Sequence, residues 1–334
     1  MSEQAYFEAA ARMHAKLKRI EVDADTTFDP RDDKWKTWDS TRGTSSIATF
    51  REPNTMTDQN AHLITHVHPS AVIDCPDVQI GDGVSIGANV RIKADTLRIG
   101  DFVQIGDGCK FFVPELRIGD YSRLGDLVLG IGTKPMLLGR NLYIGRLVRL
   151  DSRGGLTVED NVGIGDSSAI WTHIRHGDTV QGCRWDKEYP LVIEHDAWLV
   201  AKVTVGGCQR IGARAMIFNE SNVTKREIPA DTTWKGNNPI ENVTESVGPQ
   251  FETISNQDKW ERLNAEIKRF EAEHPQYMNA IICVAEDPGV LAPLMSEGVT
   301  ILGCFDRVYV KRRTAAEVAF LRFTLAKFTP LGEN

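Results

Sequence analysis

From Ile80 to Val223 an aliphatic residue, most often followed by glycine, recurs every six positions. Ile80-Gly81-Asp82-Gly83-Val84-Ser85 runs into Ile86-Gly87-Ala88-Asn89-Val90-Arg91 and then Ile92, and the pattern resumes at Ile99 and Ile105. Further starts fall at Ile118 and Leu124; at Leu138, Ile144 and Leu150; at Val158, Ile164 and Ile170; at Ile193, Leu199 and Val205; and at Ile211, Ile217 and Val223. A period of six matches neither a helix nor a lone alternating strand. It suits a three-sided column in which each hexad supplies one short strand and three hexads close a coil. The aliphatic side chain points inward, and the Gly-Asp or Gly-Ala steps turn the corners where positive φ is needed. Residues four further on, such as Val84, Val90, Val103, Cys109, Val148 and Val162, are also small and apolar, as a narrow interior requires. Coils stacked at the ordinary strand spacing of roughly 4.8 Å would make about seven coils roughly 35 Å tall. Each coil buries its faces only against its neighbours.

The coil starts at 80, 99, 118, 138 and 158 lie 19 or 20 residues apart, but the next start is Ile193. One coil therefore carries an insertion, expected at about 174–192, which follows Ile170 and opens Trp171-Thr172-His173-Ile174-Arg175-His176. A protruding loop in an otherwise regular repeat is a place for function. Three regions are expected: 1–60, a helix with an irregular segment; 61–245, the repeat column with its loop; and 246–334, a small α/β unit. Ala9, Ala10, Met13, Leu17 and Ile20 carry helical spacing over residues 3–19. In the last region the pattern predicts helices at Gln257–His274, Pro288–Gly298 and Thr314–Phe328, with strands at Asn279–Ala285 and Val299–Lys311.

Composition narrows the function classes. No apolar run approaches the roughly eighteen residues of a membrane span, and Met1-Ser2-Glu3-Gln4 opens no secretory leader, so a soluble, cytoplasmic protein is expected. A net charge of -7 argues against nucleic acid as a partner. The six cysteines show no CxxC pair, as reduced packing residues would be arranged.

The stretch from about Ile80 to Val243 resembles the hexapeptide-repeat acyltransferases, and within them the sugar O-acetyltransferase branch. Three landmarks carry the resemblance beyond the repeat: Thr172-His173 before the loop, Ile193-Glu194-His195-Asp196-Ala197-Trp198 after it, and Asn222-Val223-Thr224-Lys225-Arg226-Glu227-Ile228-Pro229 followed by Gly236-Asn237-Asn238-Pro239. The resemblance implies that the column winds left-handed, so the fold expected is mainly β, a left-handed parallel β-helix, with the N-terminal helical segment and the small C-terminal α/β unit read from the spacing above. It also implies a homotrimer with sites at subunit boundaries and acetyl-CoA as co-substrate.

Acyl transfer to a hydroxyl or amine needs a base near neutral pKa, and histidine suits that. His173 stands where the family places its catalytic histidine, and His176, three residues on, is the second candidate. Asp151, in Leu150-Asp151-Ser152-Arg153-Gly154-Gly155, resembles the family's acceptor-contacting turn. It would bind sugar hydroxyls, orient the imidazole, or be one more corner aspartate. For CoA the resemblance points to Trp198, Ala201, Lys202, Ala213, Ser221, Thr224, Lys225 and Lys235. The family's Gly-Gly after its Trp-Ile is replaced here by Ala201-Lys202, so the lysine would meet a phosphate directly. The His-x4-His spacing of the zinc-binding carbonic anhydrases that share this fold is missing, so no metal is expected. With no Cys or Ser beside His173, transfer is expected to be direct, within a ternary complex. The acceptor expected is a sugar, free, nucleotide-linked or part of a surface polysaccharide; a nucleotide-sugar amine and a non-catalytic trimeric scaffold are the alternatives.

Overall fold

The computed structural model describes residues 58–285 and 287–331. The helix expected over residues 3–19 and the segment that follows it up to residue 57 lie outside them. After a single 3₁₀ turn at Asp58–Leu63, short strands visit three sheets in strict rotation up to Glu227–Ile228. Within the column, neighbouring strands in each sheet come from successive coils and run parallel. The fold is mainly β, a left-handed parallel β-helix with a small C-terminal unit. We call the sheets A, B and C in the order the chain meets them. The first corner joins C to A, the second A to B, and the third B to C.

The hexad register explains the interior. Ile86, Ile105, Leu124, Ile144 and Ile164 align along sheet A, each at most 2% exposed. Leu97, Leu116, Met136, Leu156 and Leu191 align along sheet C and are just as buried. Stacked rungs of this kind remove nearly all of each aliphatic side chain from water, worth about 1.5–3 kcal/mol apiece before chain entropy is counted. The column also reaches below the first hexad read from the sequence: His66–Val67 and Val72–Asp74 pair with the strands of the next coil, and Val67 and Ile73 pack on the core.

At the corners, aspartates tie one coil to the next. Asp101 Oδ1 accepts the Asp82 amide at 2.9 Å, and Asp120 Oδ1 accepts the Asp101 amide at 2.7 Å. The second corner repeats this, with Asp107 accepting the Ala88 amide and Asp126 the Asp107 amide. Glycine precedes these aspartates because the coils approach closely: a Cβ on Gly100 would lie 2.7 Å from the Asp120 nitrogen.

Beyond the column, helix Asn256–Glu273 starts with a capping box between Ser255 and Asp258, and its Leu263, Ile267 and Phe270 are buried. Helix Ala315–Phe323 packs beside it, and Phe270 meets the Phe320 ring edge-on at 5.3 Å. A four-stranded sheet takes Ile281–Val284, Thr300–Gly303, Val308–Tyr309 and Thr329–Pro330 in that order. Two local expectations differ. The helix expected from Pro288 to Gly298 is one turn, Pro288–Leu291, followed by a 3₁₀ turn, because Pro293 supplies no N–H to continue it. The strand expected from Val299 to Lys311 is a hairpin that reverses through Arg307 at a φ of 55°.

This C-terminal unit lies along the first corner. Lys311 Nζ sits between Asp101 at 2.8 Å and Asp120 at 2.6 Å, and Arg313 reaches Asp82 and Asp101. Arg307 holds Asp196 with two bonds of 2.9 and 2.8 Å, three coils beyond Asp120. The aspartates that cap coil amides with one oxygen thus hold the appended unit with the other.

Candidate active site

The rotation of strands is interrupted once, at the third corner after strand Ala169–Trp171. There the chain leaves as an antiparallel hairpin arm, His173–Arg175 against Asp186–Glu188, and returns to sheet C at Leu191. The arm is held at its base by ion pairs from Arg175 to Asp186 at 3.3 Å and from Lys134 to Glu188 at 3.4 Å.

His173 is the first residue of that arm, so its backbone is anchored by the column while its ring lies outside it. One coil below, strand Arg149–Asp151 brings Asp151 to the same corner, with its side chain 1% exposed. Asp151 Oδ1 accepts the Thr172 hydroxyl at 2.6 Å, the Thr172 and Arg153 amides at 3.2 Å each, and His173 Nδ1 at 2.9 Å. A carboxylate only accepts, so Nδ1 carries the proton and Nε2 is left with its lone pair. Nε2 has no hydrogen-bond partner among the described residues, and the side chain keeps 15% of its surface exposed. Thr172 is itself fixed, since its hydroxyl oxygen accepts the Gly154 amide at 2.9 Å. Asp151 Oδ2 is buried and has no partner among the described residues, so the carboxylate's charge is not spent elsewhere.

Around this pair the corner is asymmetric. The Trp171 ring meets the imidazole edge-on at 6.1 Å. In the next coil Gly206 stands opposite Trp171, and a side chain there would meet nothing within 4 Å, so the surface beside the histidine is open. Tyr189, 8% exposed, accepts the Gly207 amide through its hydroxyl oxygen. Burial pushes its phenol up, and the Asp151 carboxylate adds to that, so the O–H stays protonated at neutral pH and remains available to donate.

Asp151 and His173 are thus in direct contact. His176 stands three residues out along the arm, exposed, its amide bonded to the Trp185 carbonyl. Thr224 and Lys225 follow strand Asn222–Val223 and return to the same third corner two coils on; Lys225 Nζ lies over the Trp234 ring at 5.5 Å. Ala201, Lys202 and Ser221 lie at the second corner, across sheet B, where Lys202 pairs with Glu220 at 3.3 Å and Ser221 Oγ accepts the Gly236 amide at 3.1 Å. Trp198 lies on the outer face of sheet A above Gly163, Lys235 ends a strand of that sheet, and Ala213 sits at the first corner. Within one chain, Trp198 and Ala213 do not share a face with His173. In the sequence Thr172 is only a landmark beside His173, with no role, and neither Tyr189 nor Gly206 is pointed to; a Tyr-Pro at the loop's end is the available signal. Among the described residues no three His, Cys, Asp or Glu side chains converge as ligands of a metal would.

No family model and no curated protein matches the chain. Among solved structures it is similar to the polySia-specific acetyltransferase NeuO, at 16% identity over 62% of this chain and 99% of that one, with a TM-score of 0.36. It is similar also to the UDP-N-acetylglucosamine acyltransferase of Campylobacter jejuni, at 15% identity over 60% and 83%, with a TM-score of 0.39. A hexapeptide-repeat-containing acetyltransferase of Vibrio cholerae matches at 22% identity over 46% and 74%, with a TM-score of 0.29. These are likenesses only, and the reading of function rests on the chain's own side chains.

Proposed function

We propose that the chain is a CoA-dependent acyltransferase that moves an acetyl group from acetyl-CoA to a hydroxyl of a sugar, with His173 as general base. The observation that carries this is the Asp151–His173 pair at the foot of the arm: a buried carboxylate fixes Nδ1, Nε2 has no partner among the described residues, and Gly206 keeps the next coil open beside that corner.

The chemistry follows from that geometry. An acceptor hydroxyl placed against Nε2 gives up its proton as its oxygen attacks the thioester carbonyl. The imidazolium that forms is stabilised by Asp151, whose charge is already beside it. As the carbon–sulfur bond breaks, the same proton passes to the departing sulfur, giving free CoA and the O-acetyl product. Holding acceptor and thioester in line supplies much of the rate. The protonated Tyr189 O–H is a donor on the same corner for charge developing on the carbonyl oxygen. Thr224 and Lys225 lie further along that corner and would meet the pantetheine arm and a phosphate. Trp198, Ala201, Lys202, Ala213, Ser221 and Lys235 would complete the CoA groove only if a neighbouring chain of a homotrimer brought its own copies to this corner.

Thiol release from acetyl-CoA, followed across a panel of sugars, nucleotide-linked sugars and amino sugars, tests the reading. Acceptor-dependent release that vanishes in His173→Ala is expected, with the acetyl group on oxygen. Acetylation of an amine would move the protein to the N-acetyltransferases. Neither release nor a thermal shift with CoA would leave a non-catalytic scaffold.

A further inference from the structure

A second recess lies between the outer face of sheet C and the C-terminal unit, a cleft of about 610 Å³. Leu137 and Thr157, side by side on adjacent strands, form its floor, and Arg117 continues the row by one strand. Asn161 and His195 of the first corner stand on one side, and Thr329 of the C-terminal unit on the other.

Most of the charges here are matched internally, but the Glu159 carboxylate has no cation partner among the described residues. Asp196 takes both the Arg307 guanidinium and His195 Nδ1, the latter at 2.9 Å. Glu159 accepts the His195 amide at 3.0 Å, Asp160 faces Arg140 at 3.6 Å, and Arg117 bonds Glu115 at 2.5 Å. A phosphate would find no surplus of positive charge. What else remains uncommitted among the described residues, besides one oxygen of Glu159, is His195 Nε2, the Thr157 and Thr329 hydroxyls and the Asn161 amide nitrogen. Such groups, spread around a small aliphatic floor, match a ligand whose hydroxyls both donate and accept and whose ring presents a C–H face.

We propose that this cleft binds an uncharged saccharide chain, the distal part of the acceptor; the assignment of the occupant as acceptor rests on the sugar acyltransferase reading above. Strand Leu156–Val158 connects the two places. It starts beside Gly155, where a side chain would meet nothing within 4 Å and whose neighbour Gly154 donates to Thr172, and it ends at Glu159 in the cleft wall. From Gly155 to Glu159 is about 13 Å of extended chain, so the occupant is an oligosaccharide and not a single sugar.

Calorimetric titration of the His173→Ala protein with maltotetraose, chitotetraose and tetragalacturonate, without CoA, tests this. At least one of the two uncharged tetrasaccharides binds, and adding either Thr157→Arg or His195→Ala weakens it by about ten-fold or more, close to 1.4 kcal/mol. Thr157 faces outward from its strand, so the arginine has room without disturbing the interior. Unchanged affinity in both cleft variants, binding by none of the three, or a preference for tetragalacturonate that salt abolishes would each overturn the proposal. Because no acyl donor is present, binding here and transfer at His173 succeed or fail separately.

Discussion

At the residue scale the proposed chemistry turns on the tautomer of His173 that Asp151 fixes. Asp151→Asn keeps the shape but removes the charge beside the imidazolium, and an amide nitrogen turned toward Nδ1 would favour the wrong tautomer. We expect kcat to fall by about 10²- to 10⁴-fold, with the KM for acetyl-CoA nearly unchanged; steady-state kinetics at saturating acceptor check it. A comparable fall in affinity for CoA would mean that Asp151 holds ligand and not the ring. Much of this site was legible in the chain, because Thr172-His173 stands where the six-residue period breaks. The direct contact with Asp151 was not: whether a corner aspartate points to a neighbouring amide, to an acceptor or to an imidazole depends on side-chain direction, which spacing does not encode. Gly130 shows the opposite case. The hexad rule expects an inward aliphatic there, six after Leu124, yet glycine occupies it because Phe111 in the coil below fills the space; a side chain at 130 would collide with that ring.

At the scale of elements, the attachment of the C-terminal unit is electrostatic and largely buried. The Lys311, Asp101 and Asp120 side chains are 11%, 6% and 9% exposed. Removing the lysine takes the cation from buried Asp120 and leaves Asp101 with Arg313 alone, so Lys311→Ala should cost about 3 kcal/mol, measured by chemical denaturation. Burial alone would raise the Asp101 carboxyl, but Lys311, the Asp82 amide and Arg313 outweigh it and hold it below its ordinary value of 3.8. Asp196 behaves alike, with Arg307 and His195 outweighing its burial. Both carboxyls bind protons less readily when folded, so this stability is complete above about pH 4 and is lost as pH falls through their native values. Lys311 is raised above 10.5 against its own burial by the two aspartates, so its share is present below that pH and lost above it. A stability difference between the native and Lys311→Ala proteins that is present near neutral pH and vanishes in acid is the expected outcome. The first helix and first strand of this unit were readable from apolar spacing, whereas the proline-broken helix, the hairpin and the docking were not, since Lys311 and Arg313 look from the sequence like ordinary solvated cations. The corner aspartates likewise looked like turn residues; that their second oxygens form a row is visible only once the coils are stacked.

For the whole molecule, the three-sheet architecture was written in the period of six, because only a repeating triangular coil returns the same residue type to the core that often. Assembly is another matter. Trp198 and Ala213 lie on faces away from His173, so a CoA groove that used them would need a second chain. Sedimentation equilibrium should therefore give three times the 37.2 kDa chain mass, and a monomer retaining full acetyl-CoA turnover would remove those residues from the groove. The arm carries one more implication. It leaves and re-enters at a single corner, and the rungs on either side keep their register, Leu156 still facing Leu191 and Ile170 still facing Val205. An insertion at such a bend breaks no ladder, so beyond His173 its length and sequence can be changed while the scaffold stays constant. Chemistry on this kind of fold can be exchanged like a tool in a fixed handle, and a transplanted arm should alter which molecules are modified without disturbing how the chain folds.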